Sequence, residues 1–210
     1  MRILLIILCS NFSAAFCQTS ATQLERLKSD FQFVYNVPIE LESAVYSSLS
    51  YYPELQNNSI RFKQTRISTT LNARPTFGSL LFRRKENRKY VVRINSTIAD
   101  SVISVYQLSE EAKKGILGHE FAHFADYETL NFWQILGRAF SYLSKTRKAN
   151  YEKAIDVETI KRGLRSELFA WSYYVLYESN ATVAYKNFKR ETYLTPELIK
   201  TVQPISTAPE

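Results

Sequence analysis

The 210-residue chain is 45% hydrophobic, 14% aromatic and 22% charged, a balance too apolar for intrinsic disorder and long enough for one sizeable domain. Five Gly and six Pro exclude collagen-like and low-complexity classes, and no run of about eighteen apolar residues is present to build a membrane-spanning bundle. The formal charge of +7 leaves nucleic acid, anionic membrane and acidic substrates open as partners, whereas two Cys exclude a disulfide-rich scaffold or a cysteine zinc cluster.

Residues 1–17 read as a secretory signal peptide: Met1 and Arg2 supply a positive start, Ile3 to Cys9 is unbroken apolar sequence, and small residues lead to Ala15-Phe16-Cys17 before Gln18. The apolar run is too short to anchor across a bilayer of ~30 Å. A lipidated Cys9 or Cys17 is disfavoured because Leu8 and Phe16 stand where a lipoprotein signal has a small residue. Export to a secreted or periplasmic location follows. Removal of this segment takes both Cys and the single Met with it and lowers Lys plus Arg from 27 to 26 against 20 acids, a net +6.

One domain over 18–194 and a tail with little fixed structure over 195–210 are expected, with no linker or repeat between. Thr19 to Asp30 is a short helix or arm. Glu40 to Tyr51 places Leu41, Val45, Leu49 and the following Tyr52 at helical spacing and ends before Pro53. The period then shortens. Ile60 and Phe62 alternate with polar residues, and Leu80 to Arg83 and Lys89 to Asn95 read as strands joined by a turn at Lys85 to Arg88. Apolar spacing predicts helices at 109–129, 131–145, 150–162 and 164–178. Within the second, the aromatic Asn131 to Leu143 reads as a core helix, with a cleft wall or membrane-surface helix as alternatives. Helix, small antiparallel sheet, then helices define an α+β domain.

Both His fall in Gly118-His119-Glu120-Phe121-Ala122-His123, an H-E-x-x-H. On a helix, positions i and i+4 share a face, so both imidazoles reach one metal ion with Glu120 beside them. Ser109 suits the N-cap, Glu110 and Glu111 complement the positive helix end, and Leu117, Phe121 and Phe124 form an apolar stripe. Gly in a helix costs about 1 kcal/mol against Ala, so Gly115 and Gly118 mark either close packing there or tolerated defects.

A catalytic zinc has three protein ligands and a water. With no third His, either the third ligand is a carboxylate or the site is incomplete. Asp126, one turn past His123, is better placed to support a ligand than to be one. In Glu152-Lys153-Ala154-Ile155-Asp156 two acids share a helix face, so one can bind metal while the other hydrogen-bonds a ligand imidazole. Glu152 is the leading third ligand, with Glu158 and Glu167 as rivals.

H-E-F-A-H followed by E-K-A-I-D resembles the gluzincin zinc metallopeptidases, which include thermolysin-like enzymes and CAAX prenyl peptidases. The likeness covers residues 109–171, and Asp156 to Trp171 is further similar to small exported bacterial proteins of this kind. The resemblance implies a zincin-like (minigluzincin) domain and an exported, Zn2+-dependent hydrolase that cleaves peptide bonds with a Glu-assisted zinc-bound water. It implies His119, His123 and Glu152 as zinc ligands, Glu120 as general base and Asp156 as the partner of a ligand His. Partners would be a peptide or protein substrate, with no nucleic acid and no membrane span, the protein itself being a monomer. The sequence departs from the family in two respects: Ala-Ile-Asp replaces the usual Glu-Ala-Asp, and no further His is present to stabilise an oxyanion. Tyr127, Tyr151, Arg165, Tyr173 and Tyr174 are candidates for that task, and Tyr90 to Asn95 reads as ordinary sheet first and as an edge strand for an extended substrate second. The competing reading is a secreted zinc-binding or structural module of zincin fold without turnover. A nucleic-acid-associated protein is a third, weakened by the even spread of Lys and Arg.

Overall fold

The computed structural model describes residues 21–82, 87–96 and 103–203. The expected leader at 1–17, Arg83 at the end of the expected strand, Lys85 and Glu86 of the expected turn, and the tail beyond 203 lie outside the described residues. Helix α1 (21–30) leads into strand β1 (Val34–Tyr35), helix α2 (Glu42–Leu49), strands β2 (Ser59–Thr65) and β3 (Leu71–Pro75), the short helix α3 (Phe77–Phe82) and strand β4 (Lys89–Asn95). Helices α4 (Glu110–Thr129), α5 (Phe132–Ser141), α6 (Lys145–Lys161), α7 (Arg165–Tyr173), α8 (Val183–Thr192) and α9 (Pro196–Thr201) complete an α+β fold. No helix among the described residues is long and apolar enough to cross a membrane.

The sheet is mixed rather than antiparallel. Its order is β1-β2-β4-β3, with β1 and β4 parallel to β2 and β3 antiparallel to β4. Alternation in β4 buries Tyr90, Val92 and Ile94, and the register sets Ile60 and Phe62 of β2 opposite Tyr90 and Val92, so one face is apolar. Strand β4 therefore lies between β2 and β3 and is not the edge. The edges are β1 and β3, and Pro75 ends β3 where an interior strand would lose a ladder hydrogen bond.

Leu80 belongs to helix α3, not to a strand. The Leu80 amide bonds the Thr76 carbonyl at 3.0 Å, and Ser79 Oγ accepts from the Lys89 amide at 3.1 Å, tying the turn of helix to the start of β4. A short apolar run without alternation fits either state, and these bonds decide it.

Helix α4 is the central element. Fourteen of its twenty residues are buried, because the sheet, α2, α6 and α7 surround it. Ser109 accepts the Ala112 amide as N-cap. The Tyr90 ring lies 4.4 Å from Phe124 and the Tyr52 ring meets Phe121 edge-on at 6.1 Å, so the expected stripe seats the helix on sheet and α2 region. On the opposite side a Cβ on Gly115 would stand 2.1 Å from the Glu167 carbonyl oxygen of α7, a backbone atom that cannot turn aside. Only glycine allows that approach. At Gly118 the nearest atom is the movable tip of Leu164, so the constraint there is weaker.

Helix α6 ends in a Schellman turn. Gly163 has φ +101°, its amide bonds Ile160 O at 3.0 Å, and the Leu164 amide bonds Thr159 O at 3.3 Å. This turn sends α7 back across α4. Two expectations change at the C-terminal side. Asn131 to Leu143 is not a core helix: Ile135 is buried, but Trp133, Phe140 and Leu143 are exposed. The expected tail contains α9, started by Thr195 accepting from the Leu198 amide and by Pro196 in the first turn, with Ile199 buried.

Candidate metal centre

Helix α4 presents His119 and His123 on one face, and α6 crosses it with Glu152 and Asp156. All four side chains are buried, as is Glu120. His119 Nε2 and His123 Nε2 are 3.2 Å apart, and Glu152 Oε2 lies 3.1 Å from the first and 3.3 Å from the second. A tetrahedral ion with bonds of about 2.0–2.1 Å has ligand atoms about 3.3 Å from one another. The three donors thus form one face around a common point, and the group could hold a metal ion. The donor set of two imidazoles and one carboxylate fits a divalent transition-type cation and leaves a fourth position open.

The remaining atoms of these residues are also held. His119 Nδ1 is 2.8 Å from Asp156 Oδ1, and the Leu194 amide donates to the other Asp156 oxygen at 2.8 Å. His123 Nδ1 is 3.2 Å from Tyr151 Oη, whose hydroxyl donates to Asp126 Oδ2 at 3.0 Å. Arg138 meets both Asp126 oxygens at 3.1 and 3.2 Å and lies over the Tyr151 ring. The Tyr142 hydroxyl donates to Glu152 Oε1 at 2.7 Å. With each Nδ1–H directed outward to its partner, both imidazoles offer an Nε2 lone pair to the shared point.

The charges follow from this packing. Burial alone would raise the Glu152 pKa, but hydrogen bonds from His119 and His123 outweigh it and hold the carboxyl far below the usual range. Burial alone would lower His119, yet Asp156 and Glu152 outweigh it and set its pKa at about 10. Without an ion the cluster keeps an imidazolium beside a carboxylate; a dication at the same point takes the place of that proton. Burial raises Glu120, with His119 and His123 opposing.

These residues open onto a cavity of about 220 Å³ whose walls include Glu120, Tyr142, Lys148, Lys189 and Tyr193, with edge strand β3 contributing Leu71, Asn72 and Ala73. The rival ligands are elsewhere: Glu158 pairs with Arg162 at 3.0 Å, and Glu167 Oε2 accepts from the exposed Ser166 hydroxyl. Asp126 touches Tyr151 rather than an imidazole, so it stands one residue further from the metal position than expected. Among the oxyanion candidates, Arg165 bonds the Ile199 and Val202 carbonyls, Tyr173 stacks on Phe169, Tyr174 packs against the core and Tyr127 stacks behind His123. Tyr151 supports His123. Tyr142 and Tyr193, which line the cavity, escaped the sequence reading; the Tyr193 ring stands 5.5 Å from His119. Tyr142 had one sequence signal, its place just before the second ligand helix; Tyr193, at the end of α8, had none. No family model, curated protein or solved structure matches the chain, so the centre rests on these residues and distances.

Proposed function

We propose that the protein is an exported zinc metallopeptidase of gluzincin type. The observation that carries the reading is the meeting of His119 Nε2, His123 Nε2 and Glu152 Oε2 at one buried point beside Glu120, at the wall of a cavity bordered by edge strand β3. Bound there, zinc supplies Lewis-acid polarisation of the scissile carbonyl and an acidified water. Glu120, with its pKa raised by burial, would be the general base beside such an ion, the group that accepts a proton and returns it to a leaving amine. Asp156 and Tyr151 stand at the Nδ1 atoms of His119 and His123, which leaves each Nε2 facing the shared point. An extended substrate lies along β3, using the open side of that strand for main-chain hydrogen bonds. The leader at 1–17 supports export.

The test pairs zinc content with hydrolysis of a mixed peptide library by the wild-type chain and Glu120→Gln. The variant is expected to keep zinc and lose cleavage by more than about 100-fold, the scale of a lost general base. Zinc binding without cleavage of any peptide by the wild type favours a non-catalytic module instead.

A further inference from the structure

Two ammonium groups border the cavity without a contact ion pair among the described residues, although the charge of Lys189 reaches Glu120 across it. Lys148, in the first turns of α6, and Lys189, on α8, both line it, and neither makes an ion pair among the described residues. Aromatic rings hold them instead. Lys189 Nζ is 4.0 Å from the Tyr193 ring centroid, and Lys148 Nζ is 4.7 Å from Phe188 and 5.5 Å from Tyr142. Phe188 meets Tyr193 edge-on at 6.1 Å, and Tyr193 in turn meets His119 at 5.5 Å. Lys148, Phe188, Tyr193 and Lys189 therefore touch in series, and of these Lys148, Tyr193 and Lys189 form a cavity wall beside His119.

Cation–π contacts fix an ammonium group without neutralising it. A lysine at a protein surface ordinarily finds an acid or bulk water; these two face a cavity whose three carboxylates, Glu120, Glu152 and Asp156, belong to the metal centre. With a divalent ion bound, those three negative charges meet two ammonium groups and the dication, leaving one positive charge in excess. Thr70, at the cavity wall, adds a buried hydroxyl with no hydrogen-bond partner among the described residues. A hydrogen-bond donor and two unneutralised cations define a receptor for an anion.

From this wall we infer that Lys148 and Lys189 select peptides carrying a carboxylate close to the scissile bond. The inference deepens the peptidase reading and rests on it. The carboxylate comes either from the substrate C-terminus or from an Asp or Glu side chain, and both present the same planar acceptor to an ammonium group.

The experiment uses the zinc-loaded Glu120→Gln chain, which binds without turnover, and four versions of one neutral blocked pentapeptide: C-terminal amide, free C-terminal carboxylate, amide with one Glu, and amide with one Lys. Calorimetry is expected to give about tenfold or tighter binding for a carboxylate version than for the neutral amide, with the Lys peptide weakest and the advantage shrinking as salt rises. Preference for the free terminus assigns exopeptidase-like recognition; preference for Glu assigns side-chain recognition. Lys189→Met and Lys148→Met should each reduce the advantage, while Lys189→Arg keeps it, and circular dichroism checks that each variant is folded. Equal binding of all four peptides overturns the inference; cleavage of the neutral amide by the wild type would then leave the peptidase reading standing. Lysine-dependent carboxylate binding by a chain that cleaves nothing supports the two lysines as a carboxylate site but overturns the peptidase reading and with it the placement of that site beside a scissile bond. Failure of every peptide to bind overturns both.

Discussion

The two imidazoles of the metal centre are four residues apart on one helix, yet they are held in unlike ways. His119 meets a buried carboxylate directly, and the Leu194 amide fixes the far oxygen of that Asp156. His123 meets a neutral phenol, and the charge behind it, Asp126, is shared with Arg138 at the wall of a second cavity. One side is a short, dry, charged contact. The other is a longer relay whose outer end reaches solvent. The difference teaches where the centre is vulnerable: loss on the His119 side leaves buried polar groups with nothing to replace them, whereas water can substitute at the outer end of the His123 side.

The largest effect is expected from Asp156→Ala, which strips partners from both His119 Nδ1 and the Leu194 amide. Zinc affinity should fall about 10–100-fold and stability by about 2–5 kcal/mol, read by metal competition and urea unfolding. Unchanged affinity would break the contrast.

Changing pH sharpens it without mutation. In the metal-free protein His119 holds its proton up to about pH 10, above its ordinary value of 6.5. Its stabilising contribution is complete below about 6.5 and is lost as pH rises through about 10. Glu152 acts in the opposite sense: its contribution is present above its ordinary value of 4.5 and is lost as pH falls. Zinc must displace the His119 proton, so its apparent affinity should weaken about tenfold for each unit by which pH drops below that value. A flat affinity between pH 6 and 9 would contradict the assigned proton.

Tyr151→Phe removes the hydroxyl between His123 and Asp126 while keeping the ring. An affinity loss of about tenfold is expected, smaller than for Asp156→Ala, and the d–d spectrum of the cobalt-substituted protein should shift as the imidazole reorients. Arg138→Ala, at a half-exposed ion pair, should cost about 0–1 kcal/mol and leave metal affinity nearly unchanged.

The same contrast separates what the sequence carried from what it did not. His119, Glu120 and His123 were legible because helical geometry turns a four-residue spacing into a shared face, and Glu152 with Asp156 obeyed the same rule on α6. Tyr151 and Tyr142 were not legible as supports for His123 and Glu152. A phenol has no ligand spacing, and its placement depends on the turn between α5 and α6. The α4 helix could be read from Ser109 and its apolar stripe, but strand pairing could not be read from period alone. Alternation in β4 marked its buried face and left open that β2 would join it in parallel and that β3, not β4, would take the edge. Helix α9 was masked by its prolines: Pro196 is a helix opener after Thr195, where composition suggested loose tail.

The most direct test of the centre is the zinc stoichiometry of the purified chain beside that of Glu152→Ala, by elemental analysis after dialysis. The three-donor geometry predicts one tightly held zinc ion per wild-type chain and loss of most of it in the variant. Full occupancy in Glu152→Ala, or none in the wild type, would contradict the account.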